Sequence, residues 1–324
     1  MDDLAAFILG PLMRNYIHPV FPQLTGTASI PGREESISIV TSTLHWVIQQ
    51  TNSNLFADHW PVLLPILLDL IDGPEPRFRI KGLQILHDFL CKCPRQILTT
   101  TGIGRVFEDA VYPSVYFLPG SMNEKESAIL LSEAYRVLLQ LAEAGQADDQ
   151  KRRSLDRIIR DGVLTGYRHA PDSPVVVDIL MRNLAVTVFG LGTHAVKHLQ
   201  NILCVVESAT MESSAVSHPS TVVAALEALN AILVCCWPRF TEASYADQVT
   251  RIVIVCWLAL GDQAELDKSA TRDQNSGVHE RLVTTMGLIK NIARGHSLET
   301  RDQVMSDMLS REPRLASLLH NVGY

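Results

Sequence analysis

Apolar residues recur along this chain at three- and four-residue steps. In "PVVVDILMRNLAVTVF", Val176, Leu180, Leu184 and Val188 fall four apart and share one helical face. Asp172 and Ser173, ahead of Pro174, supply an N-cap signal for that helix. Residues 33–50 place Ile37, Val40, Leu44 and Val47 on one face, and residues 3–17 read as a partner helix. The clearest pair is "WPVLLPILLDLIDGPEPRFRIKGLQILHDFL", residues 60–90. Its leucine-rich first half is broken at Gly73-Pro74 and Pro76, because proline lacks the N–H and clashes with the preceding turn. Its second half sets Leu83, Leu86 and Leu90 on one face, flanked by Ile85 and Phe89.

The helix-pair rhythm repeats. Residues 101–118 pair with 123–144, 149–167 with 172–189, 193–208 with 219–237, and 241–260 with 277–293. Residues 297–309 and 313–322 could close the stack. First-helix centres fall roughly 45 residues apart, and the 60–90 unit resembles a HEAT repeat. Leu63-Leu64-Pro65, the proline-containing turn and Phe78-Arg79 carry that resemblance. The turn position that often holds an Asp is Gly73, which puts an Asp–Arg ladder to the neighbouring unit in doubt here. The predicted fold is all-α: a right-handed α-solenoid of about six to seven HEAT-like pairs, forming a single domain over residues 1–324. Residues 25–32, 209–218 and 262–276, rich in Ser, Thr, Gly and Asp, read as surface connections.

One stretch competes with this reading. Val186–Phe189 followed by Gly190-Leu191-Gly192-Thr193-His194-Ala195 has the form of a dinucleotide-binding fingerprint. That fingerprint needs a strand before the glycines and a second strand after the helix. The helical period upstream and the long run Val196, Leu199, Leu203, Val206 downstream leave no room for either. The glycines are expected to end one helix, and Thr193 to cap the next. Gly102-Ile103-Gly104 is a weaker version of the same pattern.

Composition narrows the function. The formal net charge is −7, and the one dense basic cluster, Lys151-Arg152-Arg153 with Arg157 and Arg160, is interleaved with Asp148, Asp149, Asp156 and Asp161. A solvated helix face is expected there and no nucleic-acid partner. None of the six cysteines forms C-x-x-C; Cys204, Cys235, Cys236 and Cys256 lie in apolar runs and are expected to pack as small buried hydrophobes in a reducing compartment. Residues 4–13 make a poor secretory signal because Asp2-Asp3 precede them, and residues 221–237 contain Glu227 and Asn230, a poor membrane span. The expectation is an intracellular protein, without a membrane partner. His194 and His198 at i, i+4 could hold a metal, but Ala195 replaces the general-base Glu of H-E-x-x-H and no third ligand is near in sequence. No P-loop, nucleophile elbow or kinase motif is found, so no catalytic, cofactor or metal site is expected and the chain is read as a non-enzyme.

Cys236-Trp237-Pro238-Arg239 ends an apolar helix. One reading is a helix stop, with Trp237 completing the helix, Pro238 preventing its continuation and Arg239 donating to the last carbonyls. The other makes Trp237 and Arg239 candidate partner-binding residues, the guanidinium facing a partner's acid or carbonyl.

These four residues, the 60–90 unit, "GLGTHAVKHLQNIL" and "VFEDAVYPSVYFLP" resemble the Tel-two-interacting protein two family over residues 55–293. That family is the small HEAT-repeat subunit of the TTT co-chaperone complex. The resemblance implies a non-enzymatic scaffold in cytoplasm and nucleus. Its direct partners would be the large HEAT scaffold subunit and the Tel-two subunit. Phosphatidylinositol-kinase-related kinases and the ninety-kilodalton heat-shock chaperone would be reached indirectly. Family members usually extend further at the N-terminus, so a truncated or short form is expected. The alternatives are a helical-repeat transport or trafficking adaptor and an enzyme with a distributed site. Trp46, Trp60, Trp237 and Trp257 lack the periodic Trp–Asn pairing of an armadillo cargo groove.

Overall fold

The computed structural model describes residues 4, 7–17, 33–145, 148–211, 218–266, 272–294 and 309–322. The chain is all-α: among the described residues there is no strand, and Pro119 meets Met122 in an isolated bridge. The predicted connection 25–32 and all but Leu309 of the predicted helix 297–309 lie outside the described residues. The helices group into two compact units, Met1–Ser154 and Leu155–Tyr324.

The first unit holds α1 (Ile8–Ile17), α2 (Arg33–Gln50), α3 (Ser53–Asp72), α4 (Pro76–Lys92), α5 (Arg95–Thr100), α6 (Ile103–Val111) and α7 (Glu124–Ala144). Helices α1, α3 and α6 pack side by side in one row, and α2, α4 and α7 in a second row laid against it. Each helix is amphipathic, so each row supplies the apolar face that the other must cover. Asn52 opens α3 by accepting from the Leu55 amide, and Pro76 occupies the first turn of α4, where its missing N–H costs nothing. The rings of Phe56, Phe89 and Phe107 pack edge to face, with centroids 4.8 and 5.4 Å apart, and tie α3, α4 and α6 together. The helix expected over 101–118 is shorter than its apolar pattern. It ends at Val111 and tightens to a 3-10 turn at Tyr112–Tyr116, where Pro113 cannot continue the α-helical bonding. The short α5, started by Pro94, escaped the periodicity altogether.

Arg79 settles the question raised by Gly73. The side chain is buried, and its guanidinium donates to the carbonyls of Asp72 (3.3 Å) and Gly73 (3.1 Å) while lying 4.6 Å over the Phe117 ring. Burial lowers its pKa, against the charge of Asp72. The arginine therefore closes the C-terminus of α3 through backbone carbonyls, work that an aspartate at the turn would share.

Beyond α8 (Asp148–Arg157), the second unit continues through a widened π-type turn (Ile158–Leu164), α9 (Thr165–His169), α10 (Pro174–Leu191), a 3-10 segment (Gly192–His198) and α11 (Leu199–Met211). It then runs through α12 (Pro219–Cys235), α13 (Ala243–Leu266), α14 (Arg272–Arg294) and α15 (Ala316–Val322). Helices α10, α12 and α14 form one row and α11 and α13 the other, with α15 against α14. Helix α12 touches α10, α11 and α14, and residues on nearly its whole circumference are buried, from Thr221 and Val222 to Ile232 and Leu233. Ala224, Ala225, Ala228 and Ala231 let those neighbours approach closely. In both units side chains bridge like helices one repeat apart. They include Arg77–Glu34 (2.9 Å), His45–Asp88 (2.7 Å), Gln84–Glu133 (3.1 Å), Arg251–Glu207 (2.6 Å), Arg281–Glu227 (2.9 Å) and His198–Asp156.

Several expectations are corrected. The connection read at 262–276 is mostly helix: α13 runs to Leu266 and α14 begins at Arg272. The connection at 209–218 shrinks likewise, since α11 extends to Met211. Polar residues there form helix ends, which solvent tolerates as well as loops. Asn54–Asp72, Pro174–Met211 and Ala243–Asp262 are long and apolar enough, by length and composition, to cross a membrane; residues 221–237 are not among them. Pro174–Met211 is not one straight rod, because it is interrupted at Gly192, where φ is +57°.

Two glycines test the packing. A Cβ on Gly82 would lie 2.8 Å from the Leu70 Cβ and 3.2 Å from the Ile71 backbone nitrogen, neither of which can yield. A Cβ on Gly190 would meet the Leu155 Cδ1 at 2.9 Å, the movable end of a side chain. Gly82→Ala is expected to cost about 1–3 kcal/mol in denaturant unfolding, and Gly190→Ala well under half of that. Equal effects would contradict this account of the α3–α4 contact.

Candidate interaction surface

The stretch that raised the dinucleotide question is helix on both sides. Helix α10 runs through Gly190 to Leu191, Gly192 closes it, and Ser173 caps its start by accepting from the Val176 amide. The strand that the fingerprint needs is therefore not there, and the helix expected from the apolar period is. The expected Thr193 cap is not formed: the chain passes directly into the 3-10 segment, whose first residue is Gly192, without a side-chain cap. That winding also separates the two histidines. A 3-10 helix has three residues per turn, so positions four apart do not share a face. His194 is exposed while His198 is buried against Asp156. Among the described residues no group of three or more His, Cys, Asp or Glu is placed to hold a metal ion.

Asp156 receives His198 and also Lys197 Nζ at 2.7 Å, with Arg160 at 4.0 Å. Burial works against its charge, but the hydrogen bonds and charges of Lys197 and His198 prevail and hold the carboxyl below its ordinary range. Within the basic cluster Lys151 is paired with Glu143 (2.8 Å), Arg152 with Asp149 (2.5 Å) and Arg160 with Asp161 (2.8 Å). Cysteine burial was half foreseen. Cys236 and Cys256 are buried, which pushes their thiols up to about 11 and about 12, whereas Cys204 is exposed and Cys235 half-buried on the outer side of their helices.

Trp237 and Arg239 sit in a 3-10 turn, Trp237–Thr241, just beyond α12. The stop lies earlier than expected: α12 ends at Cys235, the Cys236 amide donates to the Ile232 carbonyl, and Trp237 is 47% exposed. Phe240 is the buried anchor of the turn, packed edge to face on Tyr245 at 6.3 Å. The Arg239 guanidinium does not take the expected carbonyl role. It pairs with Glu242 at 2.7 Å, both side chains about half exposed.

A larger feature of the second unit was missed. Helices α10, α12 and α14 enclose a groove of about 420 Å3 lined by Arg182, Val186, Phe189, Glu227, Asn230 and Arg281. Val186 and Phe189 are exposed, Phe189 by 56%, and Val234 is exposed one turn beyond Asn230. The sequence carried a signal for it: both residues lie off the Val176–Val188 stripe that α10 buries.

A family model, the Tti2 family, matches residues 33–217, more than half of the chain. The chain belongs to the Tti2 family. The Tti2 match begins earlier than the resemblance read over 55–293 and ends before α12. Trp237 and Arg239, with the Cys236–Arg239 motif, thus lie beyond the residues that the Tti2 model matches.

Two outcomes follow from this geometry. A carboxyl held below its unfolded value contributes stability that is present above about pH 4 and is lost as the pH falls through the folded value. Asp156→Asn is therefore expected to melt lower at neutral pH and to lose less on acidification than the parent; parallel melting-against-pH curves would contradict the assignment. An exposed i, i+3 pair is worth at most about 1 kcal/mol. Arg239→Ala should then lower the melting temperature by no more than about 3 °C, and a larger fall would restore a structural role for this arginine.

Proposed function

We propose that this chain is a non-enzymatic scaffold subunit of the TTT co-chaperone complex. In this reading it supports the stability and maturation of phosphatidylinositol-kinase-related kinases by protein–protein binding. Membership of the Tti2 family carries the reading. The two-row packing inside each unit supports it, because stacked helix pairs offer long faces for protein contact. The bridges between like helices, 42–49 residues apart and 54 for Arg281–Glu227, are in keeping with a HEAT-like period, and the proposed architecture is a right-handed solenoid of about six to seven pairs. Its direct partners in this reading are the large HEAT scaffold subunit and the Tel-two subunit, with the kinases and the heat-shock chaperone reached through them. Cytoplasm and nucleus are its proposed locations. Neither nucleic acid nor membrane is a proposed partner, in keeping with a basic cluster of which Lys151, Arg152 and Arg160 are paired with nearby acids. Trp237 and Arg239 remain candidate contact residues, the tryptophan by its exposure and the arginine by its half-exposed head.

Affinity purification of the tagged full chain from cells, with quantitative mass spectrometry, should recover both other subunits at near-stoichiometric levels. Recovery of transport receptors or cargo adaptors in their place would favour the adaptor reading and overturn this one.

A further inference from the structure

We propose that the groove on the α10–α12–α14 row receives an acidic amphipathic helix of a partner protein, a proposal that rests on the scaffold reading above. The groove has two halves. Toward the C-terminal end of α10 its lining is apolar, with Val186 and Phe189 exposed, and Val234 is exposed one turn beyond the lining residue Asn230 on α12. Toward the N-terminal ends of these helices it is charged. Arg182 forms a two-pronged pair with Asp178 (2.8 and 3.0 Å), and Arg281 pairs with Glu227 (2.9 Å).

The sign of the exposed charge decides the occupant. The acids are recessed, Asp178 at 19% and Glu227 at 30% exposed, whereas the guanidinium side chains stand out at 51% and 44%. An approaching surface therefore meets cations, although the chain as a whole carries a net charge of −7. Arginine suits this role because its planar head can keep one acid and accept a second. A second copy of so acidic a chain is a poorer fit than a partner's carboxylates beside an apolar stripe.

The α2–α4–α7 row of the first unit also exposes single apolar residues, Ile39 and Ile129, but its helices are joined by side-chain hydrogen bonds. There α2, α4 and α7 are bridged across by His45–Asp88 (2.7 Å), Gln84–Glu133 (3.1 Å) and Gln140–Cys91 (3.2 Å). On the α10–α12 surface Val186, Phe189 and Val234 are exposed, side chains that cannot make such bonds. An apolar patch rimmed by charge is a surface kept for a partner. Two adjacent helices with a furrow between them suit a helix presenting anchors at i, i+4 and i+7.

The test uses the full chain co-expressed with the large scaffold subunit. Val186→Ser with Phe189→Ser should weaken capture roughly tenfold or more, and Arg182→Glu with Arg281→Glu should weaken it comparably. Ile39→Ser, which alters an exposed residue of the first unit, should leave capture unchanged. All these residues are exposed, so melting should stay within about 2 °C of the parent; if charge reversal unfolds the chain, Arg182→Gln with Arg281→Gln replaces it. A photo-crosslinker at Phe189 should trap a helix carrying Asp or Glu beside its apolar residues. If the parent binds and the groove variants bind equally well, the groove is overturned and the scaffold reading stands. If only the apolar variant fails, the acidic occupant is wrong. A crosslink to a second copy of this chain overturns the partner helix. If the parent does not capture the large subunit, the scaffold reading falls and this proposal with it.

Discussion

The described helices bury their apolar stripes against more than one neighbour, and the packing inside each unit follows from that constraint. A single amphipathic helix leaves one side wet, and a pair still leaves the flanks of each helix uncovered. Only the next like helix, one repeat on, covers them. Helix α12 shows the limit, covered by α10, α11 and α14 and buried around most of its circumference. The polar bridges at 42–49 residue separations then fix the register between neighbours that apolar contact alone would let slide.

The same constraint leaves one face of each row open, and what stands on that face decides what it can do. In the first unit it is knitted by side-chain hydrogen bonds. In the second it carries recessed acids, projecting arginines and unburied apolar residues. Arg79 belongs to the first kind of use: its charge is spent on the carbonyls of a helix end and on the face of Phe117. Arg182 and Arg281 belong to the second, since each keeps its acid and still presents its head to solvent.

The sequence by itself determined the helices. Periodicity placed Leu83, Leu86 and Leu90, and Val176 to Val188, on buried faces because burial of a helix stripe is a local consequence of spacing. Family membership was legible for a related reason, as motifs such as "GLGTHAVKHLQNIL" are contiguous. Tertiary structure decided what depends on neighbours distant in the chain. The 3-10 winding after Gly192 turned His198 inward to Asp156 and left His194 outside, although their spacing suggested one face. The Arg239 guanidinium went to Glu242 because its side chain lies outside the helix end it was expected to cap. The groove lined by Val186 and Phe189 needed α10, α12 and α14 to meet, and these contacts join residues about 45 and 100 apart in the chain. A single helix reveals which residues it hides; only its packed neighbours reveal which of the remaining ones share a surface.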